Sequence, residues 1–186
     1  MNAESTLQTW LAAEAEQRAR SAHAGIGVAV TPQMAALDGL AQLQTMLRGD
    51  APAPPISRTL DFLLVEVAHG RAVFQGTPGP AHLNPMGGVH GGWYATLLDS
   101  ALGCAVHSAM PQGKGYTTLE LKINLVRAVT PQVQRVRAIG QTIHVGGQTA
   151  TAEARLVGPD GKLYAHGTTT CLVFDLRPPK PAPSPA

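Results

Sequence analysis

One long apolar segment, Val89 to about Met110, lies between two blocks of β-type sequence, and this placement restricts the chain more than any other feature. Trp93, Leu97, Leu98, Ala101, Leu102 and Ala105 give it wide apolar coverage at helical spacing, so it reads as a helix that other apolar surface must cover. The flanking runs, 58–78 and 115–174, are strand-like and break at His69-Gly70, Gly146-Gly147 and Pro159-Asp160-Gly161, all strong turn signals. They predict two strands before the helix and four after it. The expectation is an α+β fold in which one helix faces a six-stranded antiparallel sheet.

Ahead of this unit, Ser5 to Arg20 is rich in Ala, Glu, Gln and Leu and predicts a helix capped by Ser5, with Leu7, Leu11 and Ala15 on one stripe and Gly25 and Gly27 beyond its end. Thr31-Pro32 is the favoured order for a cap and first residue, and Met34, Leu37, Leu40, Leu43 and Leu47 predict a second helix whose stripe serves packing. The run "APAPP" makes a stiff connector. "GIGVAV" resembles the start of a dinucleotide fingerprint, but Val30 stands where the third glycine belongs and no acid follows at the required distance. The chain thus divides into a helical extension at 1–57, a main domain at 58–176 and a Pro-rich, disordered tail at 177–186.

With 186 residues, one core is expected. Hydrophobic residues make up 44% of the chain and charged ones only 14%, a thin charged coat that another subunit would help to cover. Lys and Arg are scattered singly and the formal charge is +2, so nucleic acid is not an expected partner. Cys104 and Cys171 sit in apolar or strand-like surroundings and read as inert thiols, in keeping with a reducing cytoplasm. The N-terminus has no signal-type apolar region and no run reaches membrane-spanning length, so no membrane partner is expected either.

The long helix carries a single carboxylate, Asp99, and begins after "NPMGGVHGG". Burying an ionised acid costs several kcal/mol unless it is paired. Asp99 therefore either lies on a solvated stripe or is held there for chemistry. The glycines, costly in backbone entropy, suit either a tight turn with a capping histidine or a close approach to a ligand. With a helix start near Val89 to His90, the amides of His90, Gly91 and Gly92 lack intrahelical acceptors and could polarise a carbonyl oxygen. His90 and Asp99 are nine residues apart, roughly 13 Å along a helix and half a turn out of phase. They can serve one reacting group only if the acid comes from a second copy across a two-fold axis.

The spaced combination N-P-x-G-x-V/H-G-G, the Asp nine residues after the His, and the following strand "YTTLELKINLVRAV" resembles the hotdog-fold thioesterases, in the branch of the phenylacetic-acid-pathway acyl-CoA thioesterases (PaaI-like). The resemblance runs from about Arg58 to Asp175. It implies a long central helix wrapped by an antiparallel sheet, dimers joined edge to edge, commonly doubled to tetramers, and hydrolysis of acyl-CoA without a cofactor or metal. By position it implies that Asn84 holds the substrate carbonyl or the attacking water, His90 lines the helix entrance, and Gly91 supplies the amide for the thioester oxygen. It also implies that the partner's Asp99 is nucleophile or general base, with Thr118, or its neighbour Thr117, positioning the water. Some relatives place a hydroxyl four positions after the acid, where this chain has Gly103. Gly92 and Trp93 are expected near the substrate, Trp93 and Tyr94 facing either an aryl acyl group or the core, and Arg127 is a candidate cation at the pocket mouth.

A thioester needs no more than one polarising amide and one carboxylate, and the chain has no G-x-S-x-G, H-E-x-x-H or C-x-x-C pattern and no metal-ligand spacing among its histidines. Two rivals remain at this stage: a hotdog hydroxyacyl dehydratase or hydratase, and a non-catalytic acyl-CoA-binding or regulatory module.

Overall fold

The computed structural model describes residues 2–130 and 132–176. The tail at 177–186 lies outside the described residues. In chain order the elements are α1 (Ala3–Ala24), α2 (Pro32–Ala35), α3 (Gly39–Arg48), α4 (Pro55–Thr59), β1 (Phe62–Ala68), β2 (Arg71–Gly76), α5 (Gly91–His107), β3 (Lys114–Leu125), β4 (Val136–Val145), β5 (Thr149–Val157) and β6 (Leu163–Asp175). A 3-10 turn at Pro80–His82 precedes α5. The six strands form one sheet in the order β1-β2-β4-β5-β6-β3, every neighbouring pair antiparallel. The expected helix-on-sheet arrangement is therefore present.

Small residues make the close fit of α5 possible. The sheet face beneath it carries Ala72, Ala138, Ala150, Ala152 and Ala165, all with no exposed surface, against Leu97, Leu98, Ala101 and Leu102, equally covered. Gly140 marks the tightest point: a Cβ there would sit 2.2 Å from the Ala101 carbonyl oxygen. Each fully buried leucine contributes roughly 1.5–3 kcal/mol of apolar transfer, so this layer is the main source of stability.

The extension differs from its sequence reading in three respects. First, α1 starts earlier, because the Asn2 side chain caps it by accepting from the Ser5 amide at 2.8 Å, and its buried stripe is Leu7, Trp10, Glu14 and Gln17 instead of Leu7, Leu11 and Ala15. Second, the single helix expected after Thr31 is broken in two, since Asp38 takes an extended backbone and its carboxylate caps α3 through the Ala41 amide at 2.8 Å. Third, a short helix, α4, forms at Pro55–Thr59, where the sequence reading has the end of the connector and the start of a strand.

The polar stripe of α1 has a matching surface. Alternation along β2 turns Gly76 toward Trp93 and Leu97, so Gln75 points to the other face of the sheet. There the buried Gln75 amide donates to the Trp10 carbonyl at 3.1 Å and to Glu14 at 2.8 Å, and Arg137 donates to Gln75 Oε1 at 2.8 Å while stacking 4.6 Å from the Trp10 ring. Burial alone would raise the Glu14 carboxyl, but hydrogen bonds from Arg135, Arg18 and Gln75 outweigh it and hold the group below its ordinary value. The N-terminal helices thus cover the β1 side of the sheet, while β3 forms its other edge.

Candidate active site

The loop between β2 and α5 is built by side chains that fold back on it. His82 is buried, its Nδ1 accepts from the Gly79 amide at 3.1 Å, and its ring stacks on Trp93 at 5.5 Å. Its carbonyl takes the His90 amide at 2.8 Å, and Leu83 bridges to Val89. Asn84 Oδ1 accepts from the amides of Met86 at 2.9 Å and Gly88 at 3.1 Å. Gly87, at φ +82°, makes the left-handed step that closes this turn. With Oδ1 fixed by two donors, the amide orientation is set, and Nδ2 is the group Asn84 has left to offer.

At the helix start the structure narrows three expected amides to one. The His90 amide is used by His82, and the Gly92 amide donates to His90 Nδ1 at 2.9 Å, with His90 as N-cap. Among the described residues only the Gly91 amide of the three has no acceptor. The capping histidine and a free helix-start amide, weighed as alternatives, coexist on neighbouring residues. The Gly92 amide is thereby taken by its own cap. His90 accepts at Nδ1, so in its neutral form the proton is on Nε2, on an exposed ring.

Asp99 lies two turns further along α5, half-buried, with one long hydrogen bond, from Thr118 Oγ1 at 3.4 Å. Burial raises its carboxyl above the ordinary value, and the Thr118 hydroxyl offsets this only in part. Strand alternation separates the two threonines: Thr118 faces α5, and Thr117 points to the opposite face of the sheet.

Trp93, entertained as a wall for an aryl group, is core: it is 3% exposed and its indole donates to the Leu60 carbonyl at 2.8 Å. Tyr94 is buried as well, its hydroxyl accepting the Val129 amide at 2.5 Å. Arg127 is exposed just past β3 and forms no ion pair among the described residues. Two residues before it, Leu125 reaches Gly91; a Cβ on that glycine would lie 3.1 Å from the leucine's Cδ1. Arg127 therefore follows a strand end that lies beside the helix entrance.

One neighbour of Asp99, Tyr116, escaped the sequence reading. A Cβ on Gly103 would lie 2.9 Å from the Tyr116 hydroxyl, so the notch left by this glycine is filled by a phenol from β3. A hydroxyl thus stands on the helix stripe of Asp99 although position 103 supplies none. Burial pushes the Tyr116 phenol well above its ordinary value, with the thiols and Asp99 adding to it, and burial pushes the Cys104 thiol up to about 12. The signal available in sequence was only a glycine inside a helix, which does not name its partner. Among the described residues no group of three His, Cys, Asp or Glu side chains could hold a metal ion.

A six-stranded antiparallel sheet wrapped on one long helix is the hotdog fold, and here it carries a loop-held Asn, a free helix-start amide and a half-buried acid. Residues 86–165 match the thioesterase superfamily. A phenylacetic acid degradation-related protein of Ralstonia eutropha JMP134, provisionally a thioesterase, is 29% identical with a TM-score of 0.63, covering 69% of this chain and 97% of that one. The phenylacetic acid degradation protein PaaI of Thermus thermophilus, in a mutant structure, is 28% identical with a TM-score of 0.57, covering 63% and 97%. A Halobacterium salinarum protein named provisionally as an esterase is 36% identical over 88 residues, 46% of this chain and 56% of that relative, so little more than half of its length is matched. Among the described residues no helix is long and apolar enough to cross a membrane.

Proposed function

We propose that this chain hydrolyses an acyl-CoA thioester as a homodimer in the cytoplasm, each site combining the helix start of one subunit with Asp99 of the partner subunit. The observation that carries this reading is the Gly91 amide, which has no acceptor among the described residues while both flanking amides are taken. The Gly91 amide and Asn84 Nδ2 donate to the thioester oxygen and stabilise the oxyanion. Asn84 suits the carbonyl better than the water, since its free group is a donor and the negative charge developing on the carbonyl oxygen gains more from a donor than a neutral water does. The Asp99 carboxylate removes a proton from water as the new C–O bond forms; collapse of the oxyanion then breaks C–S, and the proton goes to the leaving thiolate. Direct attack by the carboxylate is the other course open to Asp99. Either role suits an acid with one weak hydrogen bond.

Support for the dimer comes from the two sheet edges. β1 packs against the helices of the extension, but β3 is open and displays Leu119 at 62% and Leu125 at 51% exposure, an edge of the kind that pairs with another chain. Gly91 and Asp99, eight residues apart on one helix, are separated by about 12 Å and cannot meet within a subunit. Pairing of dimers into a tetramer would cover further surface.

The test is thiol release from a panel of acyl-CoAs by Asn84→Ala, Asp99→Asn, and hybrids refolded from both. Each variant alone should be inactive, and random hybrids should regain about a quarter of wild-type activity, because half of the dimers then hold one intact site of two. Failure of wild type to release thiol, with acyl-CoA bound tightly, would leave the binding module; enoyl formation from a hydroxyacyl thioester would leave the dehydratase. No recovery in hybrids would place both groups in one subunit.

A further inference from the structure

The extension and the main domain enclose a cavity of about 300 Å³ on the flank of α5 away from Thr118. Its apolar wall comes from Leu43 and Met46 of α3, Phe62 and Leu64 of β1 and Phe74 of β2, and it reaches Cys104 on α5. Cys104 is five residues after Asp99, about 140° around the helix, so the cavity and the candidate catalytic acid lie on different sides of α5. The volume falls at the lower end of small-molecule sites.

The polar part of the wall has a definite sign. Arg18 and Arg58 line the cavity, and no Asp or Glu does. Arg18 is held by Glu14 at 2.8 Å and Asp61 at 2.6 Å, whereas Arg58 has no carboxylate partner among the described residues. Beside it Ser57, 7% exposed, also lines the cavity, and Arg58 itself is exposed at its rim. An apolar chamber with an unpaired arginine at its rim and a serine beside it matches an apolar body ending in a carboxylate. Nothing in the thioester chemistry uses these residues, and the cavity is formed largely by residues before the part of the chain that matches the superfamily.

We infer that the cavity between the N-terminal helices and β1 binds a medium-chain monocarboxylic acid, its carboxylate on Arg58 and Ser57 and its chain against Leu43, Met46 and Phe74, separately from the Gly91/Asp99 site. Two methionines make the test direct, because Met46 lines the cavity while Met86 is 92% exposed in the loop before α5. In the full chain labelled with methyl-¹³C methionine, decanoate should shift the Met46 methyl saturably below about 1 mM and leave Met86 in place. Decanol, which lacks the charge, should bind about tenfold more weakly, and Arg58→Gln should weaken decanoate by about the same factor. Leu43→Trp should abolish the Met46 response while thiol release persists, and Asp99→Asn should leave the response intact. An unmoved Met46, decanol equal to decanoate, or a response confined to Met86 each overturns the inference; loss of thiol release in Asp99→Asn alone bears on the proposed activity and not on this site.

Discussion

Replacing Asp99 by Asn separates chemistry from stability, because the two should move in opposite directions. The carboxylate is half-buried with a single hydrogen bond at 3.4 Å, and burial raises its proton affinity above that of an exposed acid. A carboxyl whose folded value is raised gives stability that is complete below the unfolded carboxyl range and is lost as pH rises through the folded value. As a base Asp99 must be ionised at working pH, so there the folded protein carries the penalty. Asn keeps the shape and removes the charge. Relief of an under-solvated, half-buried carboxylate is worth up to about 1 kcal/mol, a rise in Tm of about 2–4 °C for a chain of this size. Loss of a general base lowers kcat by about 10²–10⁴, or about 3–5 kcal/mol of barrier. Thiol release at saturating acyl-CoA gives the first quantity, and thermal melts of both proteins at neutral pH and near pH 3 give the second. The Tm gap should close on acidification, where both side chains are neutral. A variant that keeps a tenth of wild-type kcat, or melts below wild type at neutral pH, refutes the assignment of an under-solvated catalytic acid.

Asn84→Asp should keep the loop, since an Asp oxygen can still accept from Met86 and Gly88, yet lose the Nδ2 donor and with it about 10²–10³ in kcat; circular dichroism and kcat measured together check the split. Glu14→Ala should cost about 2–4 kcal/mol at neutral pH by stranding Arg135 and the buried Gln75 amide, read from urea unfolding. Because the folded Glu14 carboxyl is lowered, its stabilisation is present above the unfolded carboxyl range and lost as pH falls through the folded value, so wild type and variant should converge in acid. Gly140→Ala would place a methyl 2.2 Å from the Ala101 carbonyl oxygen and force α5 off the sheet, an overpacking of about 1–3 kcal/mol that should lower Tm.

The main unit was legible in sequence because its elements obey simple periods. The apolar coverage of 89–110 and the strong breaks at Gly70, Gly146 and Gly161 identify one helix and six strands without reference to any partner. The placement of Asp99 inside that helix and of glycines before it was equally open to reading, since a lone acid in apolar surroundings is conspicuous by its cost. The stripe of α1 was not legible. Its buried side includes Glu14 and Gln17, and a hydropathy period cannot anticipate that Gln75 and Arg137, some 60 and 120 residues on, supply a polar surface to meet them. The break at Asp38 was likewise hidden, because the leucines on both sides keep helical spacing through the cap.

For the site, local sequence determined which residue types stand where, and tertiary structure decided which of their atoms are free. Nothing in "NPMGGVHGG" tells that the His90 amide goes to His82, that the His90 ring takes Gly92, or that Asn84 spends its oxygen on its own loop. Those hydrogen bonds depend on how the loop lies against Trp93 and the sheet, and they single out Gly91. The pairing of Tyr116 with the Gly103 notch, and the cavity beneath the N-terminal helices, have the same origin: close packing joins side chains distant in the chain, and no local period records it.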